Sequence, residues 1–104
     1  KKYRESFDIA TSRAVANLST LVEYLLPLVK VGGICICMKG SEIKEELENS
    51  KKAIQILGGE IQDVEEFYLP ETDVKRTIVI VKKISSTPKK YPRKPGTPAK
   101  EPIK

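Results

Sequence analysis

The sequence predicts an α/β fold in which parallel strands are joined by crossover helices and an antiparallel pair closes the sheet. Three observations point there. Apolar residues between Val15 and Val29, and again between Ile43 and Leu57, recur at helical spacing. Between those stretches, Gly33 to Met38 (GICICM) is apolar without alternation, as in a strand covered on both faces. Arg76 to Ile84 (RTIVIVKKI) is the most strongly β-branched run and reads as a central strand.

Taken in order, residues 6–12 (SFDIATS) form a short strand, with Phe7, Ile9 and Ala10 as its apolar content and Arg13 directly after it. The first helix carries Val15, Leu18, Leu21, Val22, Leu25, Leu26 and Val29 on one stripe, with Asn17 or Thr20 as its cap. Pro27 kinks or stops it, and Gly32-Gly33 ends it. The strand Gly33–Met38 follows and runs out at Lys39-Gly40. Ser41 is placed to cap a second helix, with Glu42, Glu45 and Glu46 in its first turn, where negative charge suits the helix dipole. Its buried stripe is Ile43, Leu47, Ile54 and Leu57, and Gly58-Gly59 terminates it. A weaker strand over residues 60–69 stops at Pro70, a loop spans 71–75, and the last strand is 76–84. Strand–helix–strand units require right-handed crossovers and parallel strands. The final two strands, about six residues apart, are predicted to be antiparallel neighbours.

Residues 85–104 differ in kind. They hold five of the seven prolines and six cations against the single acid Glu101. The chain carries 19 basic and 14 acidic residues, so the whole excess of +5 sits on this tail and residues 1–84 are formally neutral. The organisation is therefore a domain over 1–84 and a basic proline-rich tail over 85–104. Proline spacing of this density excludes a helix or a central strand. Two readings of the tail stand: electrostatic contact with a polyanion, or a solvated extension with no partner.

At 104 residues the chain is at most one small domain. It does not open with Met and enters a strand within a few residues, so a piece of something longer is expected. No apolar run approaches the roughly 20 residues that cross a bilayer, and no membrane partner is expected. Cys35 and Cys37, at i and i+2 of a strand, lie about 6.5–7 Å apart on one face, too far for a relaxed disulfide. They read as reduced, buried and structural, which fits a cytoplasmic protein. The chain has no histidine, which excludes Ser-His-Asp and Cys-His catalysis within it and leaves no expected metal site.

The segment FDIATSRAVANLSTLVEYLLPLVKVGG, then MKG, a Lys/Glu helix ending ILGG, RTIVIVKK and the tail TPKKYPRKPGTP resemble the bacterial small-subunit rRNA (guanine-N7) methyltransferases, the glucose-inhibited division protein B family. The resemblance covers nearly the whole chain, and TSRAVA and the tail are its most specific pieces. It implies the C-terminal half of a Rossmann-like class I methyltransferase, with S-adenosyl-L-methionine as cofactor and small-subunit rRNA as partner. It also implies a missing portion, because the sequence has no G-x-G-x-x-G loop. On its own this chain is expected to bind the cofactor poorly and not to turn over.

The resemblance makes Arg13 the cofactor-binding candidate. Its guanidinium suits a carboxylate such as that of the cofactor's methionine, or a phosphate, and the plain alternative is a surface arginine pairing with a nearby acid. Ligands of open α/β sheets sit beyond the carboxyl ends of the strands. Lys39 and Arg76 are expected at that same edge, Arg76 because its strand runs backwards. Lys39 there either meets phosphate or the substrate base, or is a solvated strand end. In the tail, Lys89, Lys90, Arg93 and Lys94 are candidate phosphate contacts. Tyr91 among them either stacks on an unpaired base or packs the tail onto its own domain. The tail is expected to continue the cationic border of the sheet. No catalytic residue is assigned, since N7 of guanine carries a free lone pair and needs no base to expose it. A different class of function also fits: a non-enzymatic α/β module that binds RNA or a ribosomal surface through its arm. The first strand should present an apolar edge, which predicts self-association there or disorder near residues 1–15.

Overall fold

The computed structural model describes residues 4–13, 17–40, 43–93 and 97. The elements are β1 (Phe7–Ser12), α1 (Leu18–Leu25) running into a 3-10 turn (Leu26–Leu28), β2 (Val29–Lys39), α2 (Lys44–Ile56), β3 (Gly59–Tyr68) and β4 (Lys75–Lys83). Asn17 caps α1, its side chain accepting from the Ser19 N–H, and Thr20 is buried inside the helix. Pro27 sits at the start of the 3-10 turn, where its missing N–H costs nothing. At the start of α2, Ile43 occupies the cap position without a side-chain cap. Ser41 and Glu42 lie outside the described residues.

The sheet order is β1-β2-β4-β3. β1 pairs parallel to β2, while β4 runs antiparallel to both β2 and β3. β1, β2 and β3 therefore point the same way, with β4 slotted between the last two. Both crossovers step across the sheet in one direction, so right-handed connections put α1 and α2 on the same face. That arrangement corrects one expectation. The apolar run of β2 is not covered twice. Gly33, Cys35, Cys37 and Lys39 are buried under the helices, whereas Ile34, Ile36 and Met38 are half-exposed on the other face. β4 alternates likewise, with Thr77, Val79, Val81 and Lys83 buried and Ile78 and Ile80 half-exposed.

A second correction concerns Gly32-Gly33. These residues do not end a helix; they lie inside β2, where the register with β1 slips from Phe7↔Val29 to Ile9↔Ile34. Gly32 takes φ +97°, and a Cβ on Gly33 would stand 2.5 Å from the Asp8 carbonyl oxygen. The pair admits β1 to close backbone contact rather than stopping α1.

The core lies between sheet and helices: Leu18, Val22, Leu26, Val29, Cys35, Cys37, Ile54, Leu57, Val79 and Val81. Both cysteines are free and buried. Hydrogen bonding to Cys37 and burial push the Cys35 thiol far up.

Lys83 is a buried charge with no exposed surface. Its ammonium donates to the carbonyls of Leu26 and Val29, both at 2.7 Å, and lies 3.0 Å from Glu5 Oε2. Those carbonyls belong to the 3-10 turn and the first residue of β2, so one cation closes the seam between them. The Thr87 N–H donates to the same Glu5 oxygen, which starts the tail's path back over the domain. Arg4 then donates to the carbonyls of Thr87, Pro88 and Tyr91. The Thr87 hydroxyl donates to the carbonyl of Leu57 at the end of α2. Finally Arg93 forks onto Glu23 of α1, with Nε and Nη2 at 2.9 and 2.8 Å and its backbone N–H at 2.9 Å.

β4 starts at the edge where β1, β2 and β3 end and finishes at the opposite edge. In its described part the tail therefore does not continue the cationic border: residues 85–93 fold over the far edge, at the end of β4 seven residues, or about 23 Å, from Arg76, and residues 94–96 and 98–104 lie outside the described residues.

Two stability outcomes follow from these charges. Lys83→Met removes the ammonium that the Leu26 and Val29 carbonyls and Glu5 share, and should cost about 2–4 kcal/mol in urea unfolding; a loss under about 0.5 kcal/mol would contradict the closing role given to the ammonium. Burial raises the carboxyls of Glu5 and Glu23, but hydrogen bonds and positive charge outweigh it. The Thr87 N–H, Lys83 and Arg4 act on Glu5, and Arg93 acts on Glu23. Both end below the ordinary value of 4.5. A lowered folded-state pKa stabilises fully above the unfolded value and is lost as pH falls through the folded one. The protein should therefore lose stability below about pH 4.5 more steeply than a Glu5→Gln/Glu23→Gln variant, as read from unfolding midpoints across pH 2–6.

Candidate functional site

The carboxyl-end edge of the sheet is built by register. Ser12 pairs with Cys37, Lys39 with Thr77, Phe67 with Arg76 and Tyr68 with Lys75. Arg13, Lys39 and Arg76 accordingly share one edge, as the sequence predicts, but their side chains do different things. Arg13 follows β1 directly and is exposed, with no partner among the described residues. Arg76 is half-buried and faces the side without helices; its guanidinium is 3.4 Å from the Lys75 carbonyl oxygen, at the outer limit of a hydrogen bond. Beside it Lys75 pairs with Glu66 at 3.2 Å.

Lys39 is neither at the solvent nor open to a phosphate. It occupies an inward position of β2, its side chain is 7% exposed, and its ammonium lies 2.8 Å from Glu46 Oε2. The same carboxylate accepts from the Leu18 N–H at the start of α1. Glu46 thus stitches the beginnings of both helices to the end of β2, which removes Lys39 from the surface expected of it. Opposite Lys39, Thr77 keeps its hydroxyl buried without a hydrogen-bond partner among the described residues.

The second cationic feature is the tail. Pro88 to Tyr91 form a turn closed by the Tyr91 N–H on the Pro88 carbonyl at 3.1 Å. Lys89 and Lys90 are its two central residues, both exposed. Arg4 fills the mouth of the turn from below through the three carbonyls it holds. Of the two readings of Tyr91, the structure takes the second: the ring is buried in the core cluster, with the Lys90 ammonium 5.4 Å from its centroid. A ring so covered packs the tail and offers no platform for a base. Arg93 likewise spends its fork on Glu23, a carboxylate with no exposed side-chain surface, and so works as an anchor. Lys94 lies outside the described residues.

Sequence reading missed the groups that hold the tail, although two left a trace. Lys83 falls in line with Thr77, Val79 and Val81 on the inward set of β4. Glu23 sits beside Val22 in the buried stripe of α1. A charge on an inward position requires a partner, but nothing local says which. Among the described residues no His, Cys, Asp and Glu group could hold a metal ion, and no helix is long and apolar enough to cross a membrane.

Residues 1–79 match the family model described as GidB, rRNA small subunit methyltransferase G. The ribosomal RNA small subunit methyltransferase G of Acetivibrio thermocellus is 57% identical over 101 residues, 97% of this chain and 41% of that protein. The same-named protein of Alkaliphilus oremlandii is 57% identical over 104 residues, 100% of this chain and 44% of that one. The chain therefore spans less than half the length of the curated relatives it matches. Among solved structures, M. jannaschii TYW2 in complex with AdoMet superposes with a TM-score of 0.55 at 13% identity, covering 81% of this chain and 42% of that one, which is a likeness of fold. With a family model spanning three-quarters of its residues and relatives above one-half identity along its length, the chain belongs to the rRNA small subunit methyltransferase G (GidB) family.

Proposed function

We propose that this chain is part of an S-adenosylmethionine-dependent methyltransferase that methylates N7 of a guanine in small-subunit rRNA. The family match over residues 1–79 carries the reading. The position of Arg13 supports it. An exposed guanidinium just past the carboxyl end of a parallel strand fits a carboxylate ligand such as the cofactor's methionine end. When bound, the cofactor supplies an electrophilic methyl group on its sulfonium. The chain's own part is positional. Arg13 holds the carboxylate, Arg76 faces the same edge, and Lys89 and Lys90 meet rRNA phosphates. The guanine N7 lone pair is already free, so the work is alignment and the lack of histidine is no obstacle.

Calorimetry tests this on the full-length protein. S-adenosylmethionine should bind, and Arg13→Ala should weaken it about 10- to 100-fold, the range expected for a lost charge-assisted hydrogen bond. No binding by the full-length protein would favour the non-enzymatic RNA-binding module instead. Unchanged affinity in Arg13→Ala would remove that residue from the cofactor site.

Self-association of the chain is part of the same proposal. β1 is an edge strand whose Phe7 and Ile9 are 44% and 56% exposed. Edges of this kind pair with other chains. The 104-residue chain should sediment as dimers or larger species, and Ile9→Lys should shift it toward monomer; a monodisperse monomer would contradict the edge's role.

A further inference from the structure

We infer that the turn Pro88–Tyr91 is a preformed phosphate-binding foot, placed about one strand length from the edge that bears Arg13, and that Glu23 and Arg4 are its positioning residues. The inference rests on the rRNA-binding reading above and concerns where and how the RNA is held. Four observations combine. Lys89 and Lys90 occupy the two corners of a hydrogen-bonded turn and are exposed. Both shoulders of that turn are gripped by one guanidinium, Arg4, through the Thr87, Pro88 and Tyr91 carbonyls. The downstream end is fixed by Arg93 on the buried Glu23, and the upstream end by Thr87 on Glu5 and on the Leu57 carbonyl. Finally, β4 runs seven residues, about 23 Å, from Arg76 to Lys83, and the chain reaches this turn from that far end.

A proline-rich basic tail would ordinarily lose conformational freedom on meeting a polyanion. Here that ordering is done beforehand by contacts within the protein. Arg4 works against backbone carbonyls, and Arg93 neutralises Glu23. The cations of the described tail thus divide by role: Arg93 anchors, and Lys89 and Lys90 contact. The ligand chemistry is a phosphodiester backbone, since two adjacent ammonium groups on a convex turn offer point charges without a pocket for a base. The distance between foot and edge sets a minimum on the RNA. It must be a folded or extended segment long enough to touch both, so the foot adds affinity for rRNA without touching the reacting base.

The test uses full-length protein, small-subunit rRNA and a four-nucleotide strand carrying a guanine. Lys89→Gln/Lys90→Gln should weaken rRNA binding at least about tenfold and flatten the log–log salt slope by about 1.4–1.8, the release expected for two phosphates. KM for rRNA should rise while kcat holds, and affinity for the four-nucleotide strand should not move. Glu23→Gln should also raise KM for rRNA severalfold while leaving the salt slope unchanged, because the lysines remain but are no longer held. The double lysine variant alters only an exposed turn, so it judges the foot even if Glu23→Gln fails to fold. Unchanged rRNA affinity and slope in the double variant would overturn the foot. A slope lowered by Glu23→Gln as much as by the lysine changes would overturn the positioning role. Failure of the wild type to bind S-adenosylmethionine would sink the methyltransferase reading, and the rRNA comparison would still decide the foot.

Discussion

An ammonium group with no water around it must find its partners inside the protein, and that requirement at Lys83 organises the far edge of the molecule. Its three acceptors come from three places: the 3-10 turn after α1, the first residue of β2, and Glu5 ahead of β1. Burial pulls the lysine's pKa below its ordinary value, and the Glu5 carboxylate opposes that pull. Leaving any acceptor unmet would cost on the order of a kilocalorie or more. The end of β4, the start of β2 and the segment before β1 are therefore tied at one point. Glu5 then holds Thr87, and the path of the tail follows from there.

The helix-covered face of the sheet carries a buried lysine at each end, Lys39 at one edge and Lys83 at the other. Each takes a carboxylate from outside the sheet, Glu46 or Glu5. The same carboxylates also accept backbone N–H groups, from Leu18 and Thr87. Each ion pair thus couples a strand end to another segment of chain, which is why neither lysine is available to a ligand. Ion pairs of this kind are weak evidence for net stability but strong constraints on which segments meet.

The periodic parts of this architecture were legible. Steps of three and four gave both helices, and β-branched content gave β4 its internal place. Three features were not legible, each for a physical reason. A Gly-Gly pair looks the same whether it ends a helix or lets two strands touch; only the structure shows that a Cβ on Gly33 would stand 2.5 Å from the Asp8 carbonyl oxygen. An unbroken apolar run does not reveal whether one face or two are covered, and β2 turned out to have helices on one side. The tail's anchors are pairings across 70 and more residues, Arg93 with Glu23 and Arg4 with Tyr91, which no local pattern encodes. Arg13 was legible through the resemblance of its TSRA segment, and Lys89 and Lys90 through the tail's composition, which could not tell them from the paired Arg93.

The net charge of +5 understates how uneven the surface is. Glu5, Glu23 and Glu46 are each consumed by an internal cation, and Lys39, Lys83 and Arg93 are consumed with them. Among the exposed cations that remain, Lys44, Lys52 and Lys82 lie on α2 and β4. Arg13 stands at one edge and Lys89 with Lys90 at the other. β3, the edge strand away from β1, exposes Glu60, Asp63, Glu65 and Glu66. Hydrogen bonding and charge from Asp63 raise the Glu65 carboxyl, a sign of how closely the acids on that strand crowd. A polyanion meeting this surface is repelled along β3 and attracted at the exposed cations, within a Debye length of about 8–10 Å at ordinary salt. β4 runs about 23 Å from Arg76 to Lys83, more than two Debye lengths, so charges at its two ends act separately.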